Sequence, residues 1–460
     1  MKSIILFFFF LSLTFWTLAQ PFQKKYGGHG KQAIYSMVEQ NGRIVTVGYT
    51  TSTGNGRQAY IAFFDKNGNI ESMSSFGGEK TEAIYEIKNT KDGGFIAVGS
   101  SSSFGNKIDV LVVKFDLQGH IEWNSTYGGD LVDIGFDIIQ TKDLGYMIVG
   151  ETNSFGAQDH DMFALKLDRT GEVTWSNLYG SDSIDYANNI VEVDDGYIIA
   201  GETNSFGDLG WDIWLSKMSK DGEMDWSRHY GGKEDDNQDD LMINKAGNIV
   251  LVGSSESIGV KSRDIVFFEL SPENGQIIKA RTYGGDREEE PKSVHQAKDL
   301  GYVITGFSSS YNHQRTEEDA FVLRLNKLLM PRYSKTFGHE KNDFAWVSLI
   351  MDNNIILGGS TSSFTSLNEE EHMYMLRFPD KRPMYSCELS NVQSVMLMQD
   401  LVLKKIITQE ADVIKIEAEF TRHKEIDLHF QTTEVETTNL CKDGEFEDEY
   451  YNEVFNPKQE

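Results

Sequence analysis

Residues 133–180, DIGFDIIQTKDLGYMIVGETNSFGAQDHDMFALKLDRTGEVTWSNLYG, hold four short apolar runs separated by turn signals. Residues 133–141, 144–150, 161–167 and 173–179 each read as a strand. Between them lie Lys142-Asp143, the Ser-Phe-Gly-Ala stretch from Ser154, and Asp168-Arg169-Thr170-Gly171. Outward from this unit the pattern recurs. An aromatic residue followed by Gly opens it at Tyr26, Phe76, Tyr127, Tyr179, Tyr230, Tyr283 and Phe337. A second Gly ends an apolar run at Gly48, Gly99, Gly150, Gly201, Gly253, Gly306 and Gly359. Both marks keep one period of 50 to 54 residues, the signature of a propeller or solenoid. Four antiparallel strands per unit, seven units and few prolines predict an all-β chain, a seven-bladed β-propeller of four-stranded blades, over an open β-solenoid.

The ends of the repeat complement each other. The seventh unit reaches its third strand at residues 373–378 and then meets Pro379 and Pro383. Phe22 to Tyr26 matches a fourth strand and belongs to no preceding unit. Ring closure follows as an expectation, with Phe22 to Tyr26 completing the last blade and hiding a sheet edge. The domain plan is therefore 1–20 as a signal peptide, 21–380 as the propeller and 381–460 as a small β-rich C-terminal module or an extension lying on the propeller. Lys2 and the apolar run 4–18 carry the signal-peptide reading, and no second apolar run suggests a membrane span. An exported chain, periplasmic or on the cell surface, is expected.

A formal net charge of -28 excludes nucleic acid, which needs clustered Lys and Arg to neutralise phosphates. Cys387 and Cys441 both fall in the C-terminal stretch, where an even count allows one disulfide without requiring it. That stretch carries β patterning at 394–405, 412–420 and 425–430, and residues 443–460 are acidic and aromatic.

The most regular motifs lie on the two loops that share one face of a propeller. Six positions after the opening aromatic stand Glu82, Asp133, Asp185, Asp236, Glu289 and Asp343, with Gln32 in the first unit. Four positions further along the innermost strand stand Ser36, Glu86, Asp137, Asn189, Asp240, Ser293 and Val347. Equal parity in a strand means one direction, so both layers are expected around an acidic axial channel. Each carboxylate has three readings: an acceptor for backbone N–H groups of its own turn, a ligand for Ca2+ or another hard cation, or part of a polar ligand site. Phe104, Phe155, Phe206, Ile258, Tyr311 and Phe364 form an outer aromatic or apolar set, read as packing or as stacking platforms. Asp109, Asp161, Asp212, Asp264 and Asp319 open the third strands, where the other units carry Gln58 and His372. Trp123, Trp175 and Trp226 begin three fourth strands and read as inter-blade packing.

The segments 115–123 (FDLQGHIEW) and 167–175 (LDRTGEVTW) resemble the tryptophan-docking motif of quinoprotein propellers. Those enzymes hold pyrroloquinoline quinone on a larger ring, commonly beneath a vicinal cysteine pair. Seven units and no Cys-Cys set this chain apart from them. The Asp-to-Gly turn is similar to the Asp-box of sialidases but one residue longer. Residues 22–378 most resemble exported Bacteroidota-type β-propellers of the delta-sixty-repeat kind, often labelled bulb-type lectins. The Tyr-Gly-Gly mark, the Gly-x-Thr-x-Ser-Phe-Gly loop and the third-strand lysines Lys114, Lys166 and Lys217 carry that resemblance. It implies fold and export, and brings no catalytic residues or cofactor.

No nucleophile elbow, phosphate loop or zinc spacing is present, and the ten histidines share no metal-like spacing. The chain therefore reads as a non-enzymatic scaffold of the cell envelope that binds a protein or a glycan. The alternative is a glycan-active hydrolase or lyase using carboxylates at the channel mouth. Candidate ligand-binding residues are Asp133, Asp137, Asp185, Asn189, Asp236 and Asp240, with Tyr311, His313 and Arg315 from the sixth unit, whose loop breaks the repeat.

Overall fold

The computed structural model describes residues 21–52, 56–157, 159–206, 210–258, 262–310, 317–363 and 371–381, and then six short stretches between 397 and 439. The described residues contain strands and no helix, so none is long and apolar enough to cross a membrane. Seven antiparallel sheets follow one another along the chain, six of them with four consecutive strands at their heart and the seventh with three consecutive strands and the N-terminal one. In the third blade the strands are Asp133–Gln140, Tyr146–Thr152, Asp161–Leu167 and Val173–Gly180. The second begins and ends two residues later than the apolar run suggested, because Leu144 adopts a φ of 70° in the turn.

The ring closes through the N-terminal strand. Phe22–Gly27 pairs antiparallel with His372–Pro379, Phe22 opposite Arg377 and Tyr26 opposite Met373. It thus supplies the fourth strand of blade seven.

Adjacent blades pack through apolar faces, each cluster drawing side chains from two sheets. Val98, Val110 and Val112 of blade two meet Ile148, Phe163 and Leu165 of blade three in one such cluster. The marker tyrosines bolt the blades together. Each reaches from a fourth strand to the turn between strands three and four of the next blade. Tyr127 Oη donates to Gly171 O at 2.7 Å, Tyr179 to Gly222 at 2.7 Å and Tyr230 to Gly275 at 2.6 Å. Tyr26 closes the ring with the same bond to Gly68 of blade one at 2.7 Å.

The invariant second-strand Gly marks a β-bulge. In every blade the pairing of strands one and two shifts register there, for example between Gly135 and Asp137 opposite Gly150. A Cβ on Gly150 would lie 1.9 Å from the Ile134 carbonyl oxygen, so only Gly permits the approach. The bulge leaves one unpaired residue per innermost strand: Tyr35, Tyr85, Phe136, Asn188, Asp239, Lys292 and Trp346.

The β-rich C-terminal stretch winds around the ring. Leu397–Asp400 adds a fifth strand to blade five, Ile407–Glu410 to blade four and Ile414–Glu417 to blade three. Thr421–Lys424, His429–Thr432 and Glu436–Asn439 do the same for blades two, one and seven. Leu428 and Val435, just ahead of the last two strands, pack against the blade cores. Among the described residues the sheet of blade six has four strands. Cys387, Cys441 and residues 443–460 lie outside the described residues.

Candidate functional site

The first carboxylate ring is a set of buried clamps. Asp133 Oδ2 accepts from Gly129 N at 2.8 Å and from Ser154 Oγ at 3.0 Å, while Thr152 Oγ1 donates to Oδ1. Asp185 accepts from Ser181 N at 3.0 Å and Ser205 Oγ at 2.7 Å. Asp236 accepts from Gly232 N at 2.8 Å and from the Ser255 hydroxyl. Each thereby ties the turn before strand one to the loop after strand two. All three are fully buried, so the turn-acceptor role is the one their geometry performs, and a surface ligand does not reach them.

A second carboxyl from the preceding blade faces each clamp. A Cβ on Gly128 would lie 2.6 Å from Asp109 Oδ1 and 2.9 Å from Asp133 Oδ2. Asp161 and Asp185 flank Gly180 in the same way, and Asp319 and Asp343 flank Gly338. Burial and then the neighbouring Asp133 push Asp109 up to about 7, and the matching causes push Asp161 to about 6 and Asp319 to about 8. Two facing carboxyls in a buried site hold a proton between them rather than two charges. Two interfaces depart from this rule: Gln58 Nε2 lies 3.4 Å from Glu82 Oε2, and His372 Nδ1 lies 3.2 Å from Gln32 Oε1.

The second layer links innermost strands around the channel. Asp137 accepts from its own Ile138 N at 2.7 Å and from Ile190 N of blade four at 2.9 Å. Asp240 accepts from Leu241 N and from Val294 N of blade six, both at 2.7 Å. Asn189 Oδ1 accepts from Gln238 Nε2 at 2.6 Å. Lys88 Nζ stands 2.9 Å from Glu86 and 3.5 Å from Asp137. Burial is the largest influence on Lys88 and pulls it down, but Asp137, Glu86 and Asp240 outweigh it and hold the amine charged. Burial raises Asp137 to about 6 and Asp240 to about 7. Of the two layers expected to face the channel, the first is the set of buried clamps, and in the second Glu86, Asp137 and Asp240 act on one lysine, Lys88. Among the described residues no three His, Cys, Asp or Glu side chains converge as a metal site.

Tyr311, His313, Arg315 and Phe364 lie outside the described residues. Phe104, Phe155, Phe206 and Ile258 are partly or fully buried. A Cβ on Gly78 would meet the Phe104 ring at 2.9 Å, and one on Gly129 the Phe155 ring at 2.9 Å, so these two rings cover the turns. Trp123 meets Tyr146 of the next blade edge-on, 5.8 Å between centroids, as inter-blade packing requires.

The bulge positions form the feature that the repeat marks conceal. Seven equivalent residues ring the channel mouth at one level, and they are not alike. Trp346, Tyr35, Tyr85 and Phe136 belong to four consecutive blades, seven, one, two and three. Their centroids are spaced 6.3, 5.8 and 5.9 Å, and Phe136 leads on to Tyr186 at 6.3 Å and Trp211 at 5.4 Å. Phe307 and Phe344 extend the arc beyond Trp346, at 5.4 and 5.2 Å. Most of these rings are half-buried, with surface remaining toward solvent.

Blades four to six fill the remaining sector with Asn188, Asp239 and Lys292. Lys292 Nζ pairs with Asp239 Oδ1 at 2.5 Å and Glu290 at 3.3 Å, and Arg263 pairs with the other Glu290 oxygen at 3.0 Å. Glu202 accepts from Tyr186 Oη at 2.6 Å and Asn237 Nδ2 at 2.7 Å, joining the polar sector to the arc. Burial raises Glu202 and takes Asp239 up to about 7. Among the described residues, Asp239 Oδ2 and Asn237 Oδ1 find no donor. The visible signal in the sequence was the variation itself: the third residue after each acid changes from aromatic to Asn, Asp and Lys in an otherwise regular repeat.

No family model matches the chain. One curated relative, the regulatory protein FlaEY of Caulobacter vibrioides, is 24% identical over 205 residues, covering 38% of this chain. The match spans about a fifth of that relative's length, 21%. Similar solved structures include Sqt1 from Chaetomium thermophilum, at a TM-score of 0.44 and 10% identity over 78% of this chain and 99% of that one. Drosophila Plexin A, in complex with Semaphorin 1b, gives a TM-score of 0.40 and 7% identity over 78% of this chain and 88% of that one. The ring of seven blades stands on its own strand pairing.

Proposed function

We propose that this protein is an exported, non-enzymatic binding propeller of the cell envelope, and that the mouth of its channel holds a glycan. The observation that carries the reading is the asymmetry of the bulge ring. A half-buried aromatic arc over blades seven to three faces a polar sector on blades four to six. Sugars offer apolar ring faces to aromatic side chains and hydroxyls to carboxylates and amides, and the mouth presents both kinds of partner. Export rests on Lys2 and the apolar run 4–18.

Titration calorimetry of the full chain against envelope polysaccharide fractions tests the reading. Tyr85→Ala and Phe136→Ala are expected to weaken binding at least tenfold, about 1.4 kcal/mol or more each, while leaving the blades folded. Retained affinity in both variants would move the site elsewhere. A second reading, a glycan-active hydrolase or lyase, draws on Asp239, which burial raises to about 7, and on Glu202, which burial also raises. Chain shortening of the bound polysaccharide, lost in Asp239→Asn, would favour it.

A further inference from the structure

Just ahead of each third strand stands a residue that the repeat marks leave free to vary. Its carbonyl accepts from the N–H that opens the innermost strand of the next blade, at 2.6 to 2.9 Å in all seven places. The backbone is thus fixed at the rim of the mouth while the side chain differs from blade to blade. Three of the charged members are engaged. Arg263 pairs with Glu256 at 2.8 Å and Glu290 at 3.0 Å, His160 Nδ1 stands 3.3 Å from Glu151, and Glu371 accepts from Tyr49 Oη at 3.0 Å. Arg57 differs from these. Its exposed guanidinium lies over the Tyr49 ring, 4.0 Å from the centroid, and among the described residues it makes no ion pair and no hydrogen bond.

The charges around Arg57 point the same way. In the turns and loops at residues 28–31, 51–57, 78–81 and 102–108, the described Lys, Arg, Asp and Glu side chains are Lys31, Arg57, Lys80 and Lys107 against Glu79. Among the described residues none of these four cations has an ion-pair partner. On blade six the balance reverses, with Asp286, Glu288, Glu317 and Glu318 lining one cavity beside Arg287. A chain of net charge -28 therefore gathers uncompensated positive charge over blades one and two. That sector adjoins the aromatic arc: Tyr35 stands 5.5 Å from Tyr49, under the guanidinium, and 5.8 Å from Tyr85.

We propose, on the glycan reading of the mouth, that the glycan is an acidic one and that Arg57 binds its carboxylate or sulfate group beside Tyr35. A guanidinium offers planar paired donors that match the oxygens of either group. Stacking on Tyr49 holds it in place without using those donors. The backbone beneath it is pinned as well. The Arg57 carbonyl accepts from Glu82 N at 2.8 Å, and a Cβ on Gly56 would lie 3.1 Å from the Lys80 carbonyl oxygen. Lys31, Lys80 and Lys107 add to the attraction of an approaching anion. The sugar ring that carries the acid then meets the faces of Tyr35 and Tyr85.

Titration calorimetry of the full chain against three oligosaccharides of equal length tests this: oligogalacturonate, sulfated dextran and uncharged dextran. At least one acidic probe is expected to bind about tenfold or more tighter than dextran, with a preference that shrinks as salt is added. Which acidic probe is favoured separates carboxylate from sulfate. Arg57→Gln should bring the preference within about threefold while the urea midpoint stays unchanged, since the side chain is exposed. Tyr85→Ala should weaken the acidic probe with Arg57 in place. Dextran binding as tightly as both acidic probes would overturn the proposal. So would a preference that survives Arg57→Gln, and if Tyr85→Ala still weakened every probe the glycan reading would stand without it. Acidic probes that bind equally well to both variants, or no binding by any probe, would overturn the two together.

Discussion

At the residue scale the repeat is written in contacts that tolerate no extra atom. The first Gly of each mark lies between two polar side chains from adjacent blades. A Cβ on Gly27 would lie 2.0 Å from His372 Nδ1 and 2.8 Å from Gln32 Oε1. A Cβ on its neighbour Gly28 would have nothing within 4 Å. Gly27→Ala should therefore cost about 1–3 kcal/mol in urea unfolding while Gly28→Ala stays within about 0.5 kcal/mol. Equal effects would show that the mark serves chain flexibility and not close approach. The marker tyrosine acts through its hydroxyl. Tyr179→Phe removes the donor to the buried Gly222 carbonyl and should cost about 1 kcal/mol. Phe76 and Phe337 occupy the same position without a hydroxyl, so Phe fits the space and the measured loss reports the hydroxyl's bonds, including the one it accepts from Asn177 Nδ2 at 3.1 Å.

At the element scale the innermost strand carries two messages on one backbone. Its regular positions, the acid and the residue four later, hold blades together. Its bulge position faces the channel mouth and changes from blade to blade. Lys292 shows how the polar sector is held, paired with an Asp239 that is almost wholly buried. Lys292→Met leaves that carboxylate uncompensated and should destabilise by about 3 kcal/mol, with much of the loss restored by adding Asp239→Asn. A double variant no better than the single would show that the two residues act independently. This division explains what was legible beforehand. Strand number, blade number and the closing role of Phe22 to Tyr26 follow from a period of fifty-odd residues. The same regularity drew attention to Asp133, Asp185 and Asp236, which prove to be internal clamps, and away from Phe136, Asp239 and Lys292. The belt of C-terminal outer strands was legible only as scattered β pattern at 394–405, 412–420 and 425–430. Its strands have four residues each, too few for a period-two signal, and they pair with blade edges far away in sequence.

At the scale of the whole molecule, the ring repeats a buried charge problem at one interface after another, and pH acts on all of them together. Asp109, Asp161 and Asp319 each face a carboxyl of the next blade, and burial first, then that neighbour, raises them to about 7, 6 and 8. In the unfolded chain an Asp titrates near 3.9. Between those values the folded ring binds more protons than the unfolded chain, so stability falls as pH rises. The contribution is complete below about pH 4 and is lost as pH passes through 6 to 8. Asp143 works in the opposite sense: hydrogen bonds and Lys166 overcome its partial burial and hold it at about 2, so its contribution is lost only in strong acid. Maximal stability is therefore expected in mildly acidic solution, with the midpoint of urea unfolding declining steadily from about pH 5 to pH 8.5. Asp319→Asn provides the internal control. Gln58 shows that an amide fits the equivalent place, beside Glu82. The variant should flatten the decline and exceed the unaltered protein in stability at pH 8.5, where Asp319 would otherwise be forced to ionise next to Asp343. A midpoint that rises through the same range, or a slope that Asp319→Asn leaves unchanged, would mean that both carboxyls of each pair ionise freely and that the blades bear the repulsion by other means.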